Sequence, residues 1–128
     1  MMITLLRAAL LLSFASPILA QAEDSETVRV FIFAGQSNMV GADSKVKDIK
    51  LFPPFAGLEE PQEKVRYAYV IGREDKARSD GWTALQPVND VVGPEVSCAR
   101  EVTRVIRAPI AIIKVAAGGT TIGGDWNP

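Results

Sequence analysis

Three apolar runs rich in β-branched and aromatic residues punctuate the chain, at residues 28–33 (VRVFIF), 65–71 (VRYAYVI) and 110–115 (IAIIKV). The first is nearly continuous in apolarity, which predicts a strand buried on both faces, as in a parallel sheet. Ahead of the third run, Gly93-Pro94-Glu95 reads as a helix start. Proline suits the first helical position, and an acidic side chain in the first turn suits the helix dipole. Val96, Ala99, Val102 and Ile106 then recur at helical spacing, with Arg100, Glu101 and Arg104 on the opposite side, and Pro109 ends the helix. Val102 and Ile106, with Cys98, are expected to face the sheet. A helix feeding a strand is half of a βαβ unit, and such units imply a parallel sheet.

The remaining segments are less regular. Residues 42–62 show no clean period, and Phe52-Pro53-Pro54-Phe55 blocks a regular helix. A long excursion or short helix followed by loop is expected there. Residues 72–81 read as a charged, solvated loop, and residues 82–85 as a short extended piece. No internal repeat or low-complexity segment interrupts the pattern.

The N-terminus raises the apolar content without adding to this pattern. Arg7 is the only charge before Glu23, and residues 8–15 form an apolar stretch. That stretch is shorter than the ~20 residues a membrane span needs. Pro17 interrupts it, and Ala20-Gln21-Ala22 supplies small residues at alternate positions. The layout predicts a secretory signal peptide over residues 1–22, a mature chain from residue 23, and export to the periplasm or beyond the cell. The alternative is a hydrophobic N-terminal helix docked on the fold.

Composition narrows the classes. The 128 residues are 48% hydrophobic and 23% charged, with a net charge of −1. This suits one ordinary domain and offers no basic excess for nucleic acid. After signal cleavage nothing in the chain calls for a membrane, and oligomeric state is not encoded legibly. A single cysteine, Cys98, rules out an intrachain disulfide, so a packed core must supply stability. Cys98 is expected to be a buried, inert thiol. With one cysteine and no histidine, a structural zinc site is excluded, and no metal or organic cofactor is expected.

Candidate chemistry gathers after two of the strands. Gly35-Gln36-Ser37-Asn38 follows the first, and Gly118-Gly119-Thr120 follows the last. In open parallel sheets ligands bind at the carboxyl ends of strands, so both motifs belong to one edge. Acyl transfer needs an attacking oxygen and donors aimed at the oxyanion that forms. Ser37 could supply the oxygen, and a glycine-rich turn the backbone N–H groups. Taken singly, Ser37 could equally cap a following helix and Gly-Gly-Thr could be a plain turn. A nucleotide-binding protein would rest on the glycine turns alone. It lacks the lysine and spacing of a Walker A loop and the G-x-G-x-x-G pattern.

The ordered motifs Gly35-Gln36-Ser37-Asn38-Met39, Gly93-Pro94-Glu95, Lys114-Val115-Ala116-Ala117-Gly118-Gly119-Thr120-Thr121 and Trp126 resemble those of the sialate O-acetylesterase-like family. That family lies in the SGNH hydrolase superfamily and includes acetylxylan esterases. The resemblance covers residues 28–128. It implies an α/β, three-layer, flavodoxin-like SGNH hydrolase fold with a parallel sheet, here truncated after the third strand. It implies a carbohydrate O-acetylesterase acting on an acetylated sugar. Ser37 matches the nucleophile. The backbone N–H groups of Ser37 and of Gly119, with Gly118 beside it, match the oxyanion hole. Gln36, Asn38 and Thr120 match positions that shape the turn or the substrate pocket. Glu95 is expected first as a structural residue of the helix start.

The chain departs from the family after these blocks. The Gln-Gly-Glu-type block and the Asp-x-x-His block that supplies the base are absent, and the histidine count is zero. Val88-Asn89-Asp90 precedes the Gly-Gly-Thr block and so has the wrong order for a catalytic pair. Asp125 reads as a loop residue. Residues 23–128 are therefore expected to be the N-terminal part of an esterase domain, weakly active or inactive alone. The competing expectation is a non-catalytic carbohydrate-binding or structural remnant of the same fold.

Overall fold

A computed structural model describes residues 27–73 and 77–128. The expected leader over residues 1–22 lies outside the described residues. In chain order the elements are strand β1 (Arg29–Gly35), helix α1 (Ser37–Val40), strands β2 (Gln62–Ile71), β3 (Ala77–Arg78) and β4 (Thr83–Leu85), helix α2 (Pro94–Val105) and strand β5 (Ile110–Ala116). Two 3₁₀ segments, Val46–Leu51 and Pro53–Phe55, occupy the region between α1 and β2.

The three apolar runs become three adjacent parallel strands. β5 lies between β1 and β2 and is parallel to both, with Gly35 and Ile71 each opposite Ala116. β3 and β4 add antiparallel to β2. The result is a mixed α/β architecture with a mostly parallel sheet, compatible with an SGNH-like fold. α2 begins where the sequence placed it, with Gly93 as N-cap and Pro94 in the first turn. Its Val96 and Ala99 are buried against Val65, Tyr67, Ile110 and Ile112, joined by Leu85, Ile49 and Leu58. Burial of Val96 alone contributes about 1.5–3 kcal/mol. Val102 and Ile106 pack against this cluster half-buried, and Cys98 is half-buried rather than buried.

Several boundaries differ from expectation. β2 starts at Gln62, three residues before the apolar run, because β4 pairs with it there. The expected loop over residues 72–81 contains β3. The expectation of β1 as a strand buried on both faces is corrected. Phe31 and Phe33 pack on the core, but Val30 is 52% and Ile32 72% exposed. β1 is an edge strand, and among the described residues nothing covers that side of it. The three expected layers are thus two in the described residues: the sheet, and one face of helix and 3₁₀ segments. Asn89 and Asp90 both take left-handed backbone (φ 54° and 61°) between the bridged residues Val88 and Val91. That two-residue turn is the role of a dipeptide with no catalytic assignment.

Candidate active site at the carboxyl edge of the sheet

β1 ends at Gly35, and the chain immediately makes one helical turn. Val40 N–H donates to Gln36 O at 2.9 Å and Gly41 N–H to Ser37 O at 3.1 Å. Gln36 is the N-cap and makes no side-chain cap bond, so Ser37 is the first helical residue and not the cap. The helix-capping reading of Ser37 therefore fails. A Cβ on Gly35 would lie 3.0 Å from Met39 Cβ, so glycine there gives the reversal close packing on α1.

Sheet register brings the second motif alongside. One residue past the Gly35–Ala116 pair, Ala117 N–H donates to Gly35 O at 3.0 Å. One residue further, a Cβ built on Gly118 would lie 3.9 Å from Ser37 Cβ. The two motifs predicted to share an edge are neighbours on it. Ser37 is half-buried, while Gln36, Asn38, Gly118 and Gly119 are exposed. Thr120 donates its hydroxyl to Ala117 O at 2.8 Å and so closes the turn that presents both glycines. Gly119 adopts φ +69°, a left-handed conformation that glycine reaches without strain.

Arg73, at the carboxyl end of β2, braces that turn. Its Nε donates to Gly118 O at 3.1 Å and its Nη2 to Gly119 O at 2.7 Å. Nη2 also lies 3.3 Å from Asp125 Oδ1, and Asp125 Oδ2 accepts the Thr121 N–H at 2.9 Å. Both glycine carbonyls are thereby turned toward β2. Sequence reading placed Arg73 in a solvated loop. The available signal was its position as the first charge after a strand on the same edge.

Asp125 lies in a turn, where its carboxylate holds Thr121 and Arg73. The Thr121 N–H, then the Arg73 guanidinium, hold its carboxyl below the usual 3.8. The unfolded chain takes up this proton at a higher pH than the folded one. The bracing is therefore fully present above 3.8 and lost as pH falls through the lower folded value. In a carboxyl titration by NMR, Asp125 is expected to titrate below 3.8. The Gly118 and Gly119 amide signals should move with it. A midpoint at or above 3.8 would refute the bracing role.

Beneath the edge lies a buried polar trio. Lys114 and Glu95 are nearly inaccessible and form an ion pair at 2.7 Å, and Tyr67 donates its hydroxyl to the same Glu95 Oε1 at 3.2 Å. Lys114 Nζ also approaches Val40 O, at the end of α1, at 3.4 Å. Burial pulls Lys114 below the usual lysine value, opposed by the Glu95 charge. Burial, followed by the Glu95 charge, pushes Tyr67 far above the usual phenol value. A Cβ on Gly93 would collide with the Glu95 carboxylate and the Lys114 ammonium. The trio ties the first turn of α2 and the centre of β5 to the helical turn that carries Ser37. Glu95 is buried in the first turn of α2 and paired with Lys114. Lys114 was missed, although a lone cation inside an apolar strand demands a buried partner.

The arrangement offers a hydroxyl beside a glycine turn at a strand edge, as acyl transfer requires. Among the described residues, no group of three or more His, Cys, Asp or Glu could hold a metal ion. No curated protein and no solved structure matches the chain significantly. A family description does match, that of carbohydrate esterase, sialic acid-specific acetylesterase, over residues 27–128. With the two motifs meeting at the sheet edge inside that span, the chain belongs to this carbohydrate esterase family of the SGNH superfamily.

Proposed function

We propose that the chain carries the nucleophile and oxyanion half of an exported serine acetylesterase that removes O-acetyl groups from a sugar. The observation that carries this reading is the position of Ser37 next to the Gly118 turn at one sheet edge. In the proposed reaction Ser37 Oγ attacks the acetyl carbonyl carbon. The N–H groups of Ser37 and Gly119, with Gly118 leaving room beside them, receive the negative charge on the carbonyl oxygen. The sugar oxygen leaves with a proton, and water then releases acetate from the acetylated serine. Gln36, Asn38 and Thr120 shape the turn and its approach. The steps call for no metal and no organic cofactor.

The given sequence contains no histidine that could act as the general base. Such a base contributes about 10²–10⁴-fold, so this chain alone should turn over acetyl esters feebly or not at all. A second reading uses the same edge differently, as a carbohydrate-binding protein of this fold that holds an acetylated sugar without cleaving it.

The test is hydrolysis of an aryl acetate by the purified chain and by Ser37→Ala. A barely measurable rate that Ser37→Ala removes supports the esterase half. No measurable rate in either protein supports the binding reading. Robust turnover independent of Ser37 would overturn the assignment of the nucleophile.

A further inference from the structure

Arg73 stands on the far side of the glycine turn from Ser37. The strand order β1-β5-β2 puts it there: Ser37 follows β1, the turn follows β5 and Arg73 follows β2. Its guanidinium grips two successive carbonyls, Gly118 O through Nε at 3.1 Å and Gly119 O through Nη2 at 2.7 Å. We infer that Arg73 is a positioning residue for acyl transfer, which through these carbonyls turns the Gly119 N–H toward the oxyanion formed at Ser37. The inference deepens the esterase reading and rests on it for the identity of the oxyanion.

Peptide geometry carries the effect. The Gly118 carbonyl and the Gly119 N–H belong to one planar trans unit, so they point in opposite directions. A carbonyl held toward β2 leaves its N–H directed back across β5 toward β1. The same holds for the Gly119 carbonyl and the Thr120 N–H. Among the described residues, no hydrogen bond uses the Gly119 or Thr120 N–H, so both remain available to a ligand.

The turn needs such a grip because little else fixes these two planes. Gly118 and Gly119 are exposed, and nothing lies within 4 Å of a Cβ built on Gly119. Glycine takes either sign of φ readily, so an unheld Gly118–Gly119 peptide would be free to flip. The Thr120 hydroxyl closes the turn at Ala117 O and touches neither glycine carbonyl. A planar guanidinium fork suits two adjacent carbonyls, whereas a lysine offers one point charge.

Arg73→Gln and Arg73→Lys test this. The Arg73 side chain is 52% exposed, so its loss opens no cavity in the core. The first readout is NMR of the chain in a weakly aligning medium, where residual dipolar couplings report the direction of each N–H. In Arg73→Gln the couplings of Gly119 and Thr120 are expected to change. Those of Ala117 and Thr121, held by Gly35 O and by Asp125, should stay. Unchanged couplings, or a loosening of all residues from 117 to 121 alike, would overturn the inference.

The second readout is labelling of Ser37 by an alkyl fluorophosphonate in excess. Ser37 Oγ bonds to phosphorus, fluoride leaves, and buffer takes the hydroxyl proton. The phosphoryl oxygen then occupies the oxyanion position. An oxyanion donor is worth about 10²–10³-fold, so a misdirected one should slow the maximal labelling rate about tenfold or more. The probe concentration at half-saturation should stay the same. Arg73→Lys keeps the charge without the fork and should recover only a small part of that loss. An undiminished rate in Arg73→Gln, or full recovery in Arg73→Lys, would overturn the positioning role. A parent chain that takes no label, with the Gly119 coupling still changed in Arg73→Gln, sinks the esterase reading and leaves the aiming of the amide standing.

Discussion

Lys114→Met should lower the unfolding free energy by about 3–5 kcal/mol, because it leaves the Glu95 carboxylate buried without its counter-charge. Among the described residues Glu95 Oε2 already has no hydrogen-bond partner, and Oε1 would keep only the Tyr67 hydroxyl. The cost is that of an orphaned charge and not of a lost attraction. Pairing Lys114→Met with Glu95→Leu removes both charges together. A buried pair replaced by apolar groups is often neutral. Glu95→Leu also takes the acceptor from the buried Tyr67 hydroxyl, at about 1–3 kcal/mol. The double variant should therefore recover part of the loss and remain about 1–3 kcal/mol below the original. Urea unfolding of the three proteins, followed by circular dichroism, measures both numbers. A single-variant loss under about 1 kcal/mol would mean that water reaches the pair and that the trio contributes little to holding the edge.

The contrast between Lys114 and the residues around it marks where sequence reading stops. The apolar runs specified three strands, the Gly93-Pro94-Glu95 start specified the helix, and the helix-to-strand order implied parallel pairing. All of these depend on local periodicity and local capping, which a linear sequence displays. Ser37 and Gly118 were legible as a pair for a similar reason, since each follows a strand and parallel strands end on one edge. Lys114 and Arg73 depend instead on contacts across 19 and 45 residues. A lysine inside an apolar strand signals that it needs a buried partner, but the sequence does not say which distant carboxylate supplies it. Exposure of Val30 and Ile32 was illegible for a different reason. An apolar run records what a strand can bury, and cannot record that the described residues place nothing over that face. Tertiary pairing also overrode composition at Gln62, where β4 extends β2 into a polar start.

Gly41→Ala should cost about 2 kcal/mol or more, from two separable sources. Gly41 closes α1 at φ +88°, where a Cβ costs about 1–2 kcal/mol. In addition, that Cβ would lie 2.5 Å from Val92 O, 2.7 Å from Val92 C and 2.8 Å from Gly93 N. All three are backbone atoms, so relief requires moving either α1 or the segment that begins α2. Gly57 isolates the first cost. It has φ +86° with nothing within 4 Å of the site of a Cβ. Gly57→Ala should therefore show the conformational cost alone, about 1–2 kcal/mol. The excess at Gly41 measures the collision. Gly41 accepts the Ser44 N–H, and Ser44 accepts the Val92 N–H, so the collision strains the same loop that abuts α1. Because Ser37 begins the turn that Gly41 ends, the amide signals of Ser37 and Gly118 should move in Gly41→Ala and stay in place in Gly57→Ala. Equal losses for the two variants in urea, with the Ser37 signals unmoved in both, would show that close packing of α1 on the start of α2 does not position the serine.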